Sequence, residues 1–207
     1  MKIKKLDRIM GLFFAISTVV LIYMFFTNRD FFTWAFSRHQ NILSWYIRPL
    51  FIIPIVIGAY KQSFSILFLS IFCLFTSMFW FPKPEVVDEQ VHLFLEFEKN
   101  YLTSGWTTEK IVVCTLILLF FILLIYTTWN RKWGQLLWVV IAGAVLKVVH
   151  SILSSGENGM ALVKPAATGL VICIVIIVFI KNKKEKKYES NPARRSGILA
   201  VHQRIDA

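Results

Sequence analysis

Apolar residues in this chain come in long runs and do not alternate with polar ones. A helix rising about 1.5 Å per residue needs about 20 residues to cross a bilayer core of about 30 Å. Windows of that order, nearly free of charge, cover residues 10–27, 41–60, 63–81, 111–129, 133–153 and 159–180. Arg48, Pro49 and Pro54 interrupt the second window, and its uninterrupted part is too short to cross alone, so the longer reading is the one that gives a span.

Between the third and fourth windows the period changes. After Pro82 and Pro84, residues 85–102 put Val87, Val91, Phe94, Leu95 and Leu102 on one side of a helix. Asp88, Glu89, His92, Glu96 and Lys99 fall on the other, with acids in the first turns, where the helix dipole favours them. Such a helix is expected to lie on the outer membrane interface, aromatic side down. The FFTWAFSRHQ segment before the second window predicts another interfacial piece, carrying Arg38 and His39. The expected fold class is therefore all-α: a polytopic membrane helical bundle of six transmembrane helices over residues 1–180, with an amphipathic extracytoplasmic helix. Residues 181–207, basic and without apolar periodicity, are expected to form a disordered cytoplasmic tail.

Composition agrees. Of 207 residues 57% are apolar and only 17% charged, against about a quarter charged in a typical soluble domain. Cys73, Cys114 and Cys173 lie inside apolar runs, which argues against a disulfide framework or a CxxC metal cluster. MKIKKLDR before the first window resembles the charged region of a signal peptide, yet no small-x-small cleavage site precedes TNRD, so a retained anchor is expected. No repeat period stands out, which weakens an inverted-repeat transporter reading.

The net charge of +11 is unevenly spread. With six spans and the amino end inside, the cytoplasmic segments hold fifteen Lys or Arg against four acids, and the outer segments five against eight. Basic residues near spans are retained on the cytoplasmic side, so both termini are expected there, in a bacterial inner membrane. The excess is topogenic and carries no implication of nucleic acid. The expected partners are membrane lipids, with the tail resting on anionic headgroups at about 1 kcal/mol per Lys or Arg.

Three cations remain inside the windows, Arg48, Lys147 and Lys164, and no Asp or Glu accompanies them. A centred cation costs about 2.5 to 3.5 kcal/mol to insert. Counting at about 1.5 Å per residue from the span ends puts all three roughly 8 to 10 Å below the outer surface, with His150 one turn outward from Lys147. The stripes Asn41/Ser44/Arg48, Gly143/Lys147/His150/Ser151/Ser154 and Ala161/Lys164 or Pro165/Thr168 mix small and polar residues, the composition of interhelical faces. Two readings stay open at this point. The cations converge inside the bundle, or the lysines stretch separately to headgroups while Arg48 bonds carbonyls freed by Pro49 or Pro54.

Convergence leads to the principal functional expectation: Arg48, Lys147, His150 and Lys164 line an outward-facing basic pocket for an anionic ligand, such as a lipid headgroup, a lipid-linked phosphate or a small anion. Glu85, Asp88, Glu89 and Glu96 would then serve as movable counter-ions. An alternative is a non-catalytic membrane subunit docking on a membrane-protein partner. A third reading is an enzyme holding a divalent metal on Asp88, Glu89, His92 and Glu96, whose i, i+3 and i+4 spacings share a helix face, with His39 as a further ligand. His150 with Ser151, Ser154 and Ser155 is the one Ser/His cluster near a span. No Gly-rich phosphate loop, HExxH pair or GxSxG elbow occurs, and the sequence specifies no cofactor.

Overall fold

The computed structural model describes residues 2–189, which are helical with no strand among them. The helices are α1 (Lys2–Thr27), α2 (Arg29–His39), α3 (Leu43–Leu50), α4 (Ile52–Lys61), α5 (Phe64–Thr76), α6 (Glu89–Thr103), α7 (Thr108–Trp129), α8 (Trp133–Ser155) and α9 (Val163–Glu189). Short 3₁₀ turns at Ser77–Phe79 and Gly156–Leu162 extend α5 and join α8 to α9. Among the described residues four helical stretches are long and apolar enough to cross a membrane: Lys4–Thr27, Leu43–Lys61, Thr108–Trp129 and Trp133–Lys183. Phe64–Phe79 is apolar but shorter. Large apolar side chains such as Leu12, Val19, Leu118 and Phe179 stand exposed on these helices, as lipid-facing surfaces do.

Two of the four stretches are broken. Pro49 and Pro54 lack the amide protons that would reach back one turn, and the chain passes from α3 to α4 through a bend at Phe51. The last stretch is cut at Gly156, whose φ of +61° and ψ of −138° are open to glycine and costly for other residues. Beyond it Gly159 comes against the Ser151 carbonyl and α9 packs back on α8. Helix α9 continues through the lysine-rich segment to Glu189, past the expected boundary at residue 180, because Lys and Glu are good helix formers that prolong an apolar helix readily. The rest of the expected tail lies outside the described residues.

The interior has two parts. An aliphatic core joins Ile55, Val56 and Ala59 of α4 to Leu67, Leu124, Leu136, Val140, Cys173 and Ile177. Here Gly58 lets α4 meet α5: a Cβ on it would stand 2.7 Å from the Leu67 amide nitrogen. At the end remote from the amino terminus an aromatic core gathers Phe32, Phe36, Trp45, Met78 and Phe94 with Ala35, Val91 and Leu95. It is roofed by α2 and α6. Helix α2 is capped by Asn28, whose side chain accepts from the Phe31 amide at 2.9 Å. It is fastened by Arg38, whose Nε donates to the Phe79 carbonyl at 2.7 Å. Helix α6 starts on Asp88, which accepts from the Val91 amide at 3.1 Å. It ends on Lys110 of α7, whose ammonium donates to the Ser104 carbonyl, the Ser104 hydroxyl and the Gly105 carbonyl at 2.6 to 2.9 Å and lies over the Tyr101 ring.

At the opposite end Asp7 reaches from α1 to the start of α5. Its carboxylate accepts from the Ser63 hydroxyl at 2.6 Å and the Phe64 amide at 2.9 Å, and from both the hydroxyl and the amide of Ser65. The basic turns at Lys61 and Arg131–Lys132 share this end, where Arg131 stacks over Tyr60 at 4.6 Å.

Candidate functional site

Helix α2 ends where α3 begins to turn back, so its last residue, His39, drops between them beneath the aromatic core. The imidazole is buried and its two nitrogens have different partners. Arg48 Nη1 donates to Nε2 at 3.2 Å, since guanidinium has no acceptor. Nε2 is thereby the unprotonated nitrogen, and Nδ1–H donates to the Ser44 hydroxyl at 2.8 Å, which in turn donates to the Asn41 carbonyl at 2.8 Å. Trp45 closes the arrangement by donating from Nε1 to the His39 carbonyl at 2.9 Å. The polar stripe of Asn41, Ser44 and Arg48 is thus wired through one neutral histidine. Burial pushes the His39 pKa well below its ordinary value, and the charges of Arg48 and Lys147 press it in the same direction.

Arg48 is half-buried and borders a cavity of about 180 Å³ together with His39 and Glu98. The remaining wall is apolar, formed by Leu21, Ile22, Phe25 and Phe26 of α1, by Phe31 and Phe36 of α2, by residues at and just beyond the end of α5, and by Leu102 of α6. Glu98 of α6 stands on the same cavity as Arg48. Lys147 of α8 is exposed and does not border the cavity. Among the described residues no ion pair joins Glu98 to either cation.

The other expected site residues stand elsewhere. His150 Nε2 faces Glu109 Oε1 at 3.3 Å and the Ser154 hydroxyl at 3.4 Å. Serine and carboxylate meet the same nitrogen, whereas a proton relay needs one on each side of the ring. Glu109 also acts on Tyr101, whose hydroxyl is held above its ordinary pKa by desolvation first and that charge second. Lys164 is exposed. The inward stripe of α9 is Pro165, Gly169, Cys173 and Ile177, beginning one residue further on, with Gly169 against the Pro49 ring. Glu85, Asp88, Glu89, His92 and Glu96 are all exposed, Asp88 serving as a helix cap and His92 meeting Glu96 at 3.8 Å. No three His, Cys, Asp or Glu among the described residues come together in a way that would hold a metal ion.

No family model, curated protein or solved structure matches this chain. Its chemistry has to be read from the cavity itself. Sequence reasoning passed over Glu98, although a signal for it existed: Val91, Leu95, Glu98 and Leu102 step along the apolar face of α6, so a carboxylate stands inside that stripe. His39 was legible as an outer-loop residue but not as the partner of Arg48, because the fold of α2 onto α3 decides that contact.

Proposed function

We propose that this protein crosses a bacterial inner membrane six times, with both termini cytoplasmic, and binds an anionic ligand in the cavity bordered by Arg48. The observation that carries the binding reading is the Arg48 guanidinium at an apolar-walled cavity, with an uncharged imidazole as its hydrogen-bonded partner. The imidazole is neutral, and Glu98, the one carboxylate among the described residues that borders the cavity, makes no ion pair with Arg48. The guanidinium therefore keeps capacity for an anion, and water-poor walls make its charge act more strongly than it would in bulk solvent. Binding without chemistry is favoured over turnover, since the His150 cluster lacks relay geometry and the acidic face of α6 is solvated.

The six-span topology draws support from the break at Gly156, which turns one long apolar stretch into two antiparallel helices. The 16 residues of Phe64–Phe79 would span about 24 Å, short of the usual core and workable where the bilayer thins. The basic turns at Lys61 and Arg131–Lys132 lie with Asp7 at one end, as retention of positive charge on the cytoplasmic side requires. On this reading α6 and α2 lie on the extracytoplasmic side.

Binding is tested with the full chain purified in neutral detergent. Arg48→Gln should weaken capture of anionic amphiphiles at least tenfold while the protein inserts and purifies as before. Equal binding by the variant would refute the site. Topology is tested in a cysteine-free background: Asn130→Cys and Gly105→Cys should label from opposite faces of the membrane, and labelling from one face would refute six crossings.

A further inference from the structure

Resting on the reading of Arg48 as the receiver of an anionic group, we infer that the cavity takes a zwitterionic lipid headgroup, its phosphodiester on Arg48 and its ammonium on Glu98. Arg48 of α3 and Glu98 of α6 border the same cavity without forming an ion pair. The guanidinium donates to His39, which is neutral because its Nε2 accepts that bond. Among the described residues the Arg48 side chain makes no other hydrogen bond, and the Glu98 carboxylate makes none. The other acids of α6 have plainer roles: Asp88 caps the helix, Glu96 meets His92, and both are exposed, as Glu89 is. Glu98 is half-buried, one turn from Phe94 and from Leu102 on the side that enters the aromatic core.

Two opposite charges at one poorly solvated space each lose water there, and a charge left unpaired in such surroundings is costly. A guest with one charge of each sign satisfies both groups and leaves the cavity neutral. A monoanionic headgroup would satisfy Arg48 but add a second negative charge beside Glu98, and a lone cation would fail at Arg48 in the same way. Lys147 has no part in this, since it is exposed and does not border the cavity.

The walls favour a membrane-borne source of the headgroup. At about 180 Å³ the cavity is smaller than the roughly 300 to 1,000 Å³ that encloses a drug-sized ligand, so it suits a headgroup rather than a whole lipid. Phe26 borders the cavity and is also exposed on the surface of α1, which gives the tails a way out into the bilayer beside that helix. Tails held there leave one apolar medium for another and present the headgroup at a high local concentration.

Binding to the purified full chain in uncharged detergent is measured with phosphatidylethanolamine, phosphatidylcholine, phosphatidylglycerol, phosphatidylethanolamine acetylated on its nitrogen, and glycerophosphoethanolamine. The wild type should bind at least one of the two zwitterionic lipids roughly tenfold more tightly than phosphatidylglycerol or the acetylated lipid, which keep the phosphodiester and lack the ammonium. Either zwitterion winning supports the inference, and their ratio tells a primary from a quaternary ammonium. Glycerophosphoethanolamine, the headgroup without tails, should not saturate the site. Glu98→Gln, which keeps the side-chain shape, should erase the preference by weakening the zwitterions and not phosphatidylglycerol. The acetylated lipid tests the same contact from the ligand's side, should that variant not fold. Phosphatidylglycerol or the acetylated lipid matching the zwitterions in the wild type, an unchanged preference in Glu98→Gln, or saturation by glycerophosphoethanolamine would overturn the inference and leave an anion site standing. Binding of every probe by Arg48→Gln as tightly as by the wild type would instead overturn the underlying reading.

Discussion

The aliphatic and aromatic cores divide the molecule's work. The first, around Ile55, Leu124, Leu136 and Ile177, has no charged member, and its helices approach closely enough for Gly58 to matter. The second, around Phe32, Trp45 and Phe94, packs larger and stiffer side chains, leaves a cavity beside them, and takes in a histidine bonded to an arginine. Helices in a bilayer gain nothing from hiding apolar area from lipid, so shape complementarity has to hold them together. Small and branched residues achieve that at one end. At the other, flat rings cannot fill the space evenly, and a gap remains.

This contrast can be broken most severely at Gly58. Gly58→Val would drive a side chain into the α5 backbone and should abolish recovery of monodisperse protein, checked by size-exclusion chromatography. Leu136→Ala, at the fully buried centre of the aliphatic core, should cost about 2 to 3 kcal/mol in unfolding experiments. That is the lower part of the usual range for such truncations, because the lost contribution is packing and not transfer from water.

Across the divide, Arg48→Gln should leave the melting temperature nearly unchanged, since removing a poorly compensated cation offsets the lost hydrogen bond. Its effect should appear in ligand binding, and a large thermal loss would mean that Arg48 is structural.

Acid supplies a subtler probe of the aromatic core. Above pH 6.5 the His39 imidazole is neutral in the folded and the unfolded chain alike. Below 6.5 the unfolded chain takes up a proton that the buried ring refuses, so stability should fall with acid by up to about 1.4 kcal/mol per pH unit. His39→Gln should flatten thermal stability between about pH 6.5 and 5, above the range where most carboxylates titrate. The smallest change is expected from Glu109→Gln and Lys164→Gln, exposed positions where the shift should stay within about 0.5 kcal/mol.

Much of the architecture was legible because its causes are local. Apolar runs, the proline pair at 49 and 54, and the acids in the first turns of the amphipathic helix act within a turn or two of themselves. The apolar side of α6 could be read residue by residue, and Val91, Phe94, Leu95 and Leu102 all enter the aromatic core. The charge cluster was legible only in outline. Depth along a helix follows from counting, and so Arg48, Lys147 and Lys164 could be assigned one level. Rotation about a helix depends on what packs against it, and α9 turns its Pro165–Ile177 stripe inward while Lys164 faces out. Glu98 was overlooked for a related reason: attention to the polar side of an amphipathic helix draws the eye away from an acid on the other side.

Asp7 gives the first helix a task in seating its neighbour. Its carboxylate collects two hydroxyls and two amides at the opening of α5. A peptidase that removed this helix as a leader would strip α5 of its clasp and leave those amides with no acceptor from the protein. The seating of α5 is therefore built in part from the first helix.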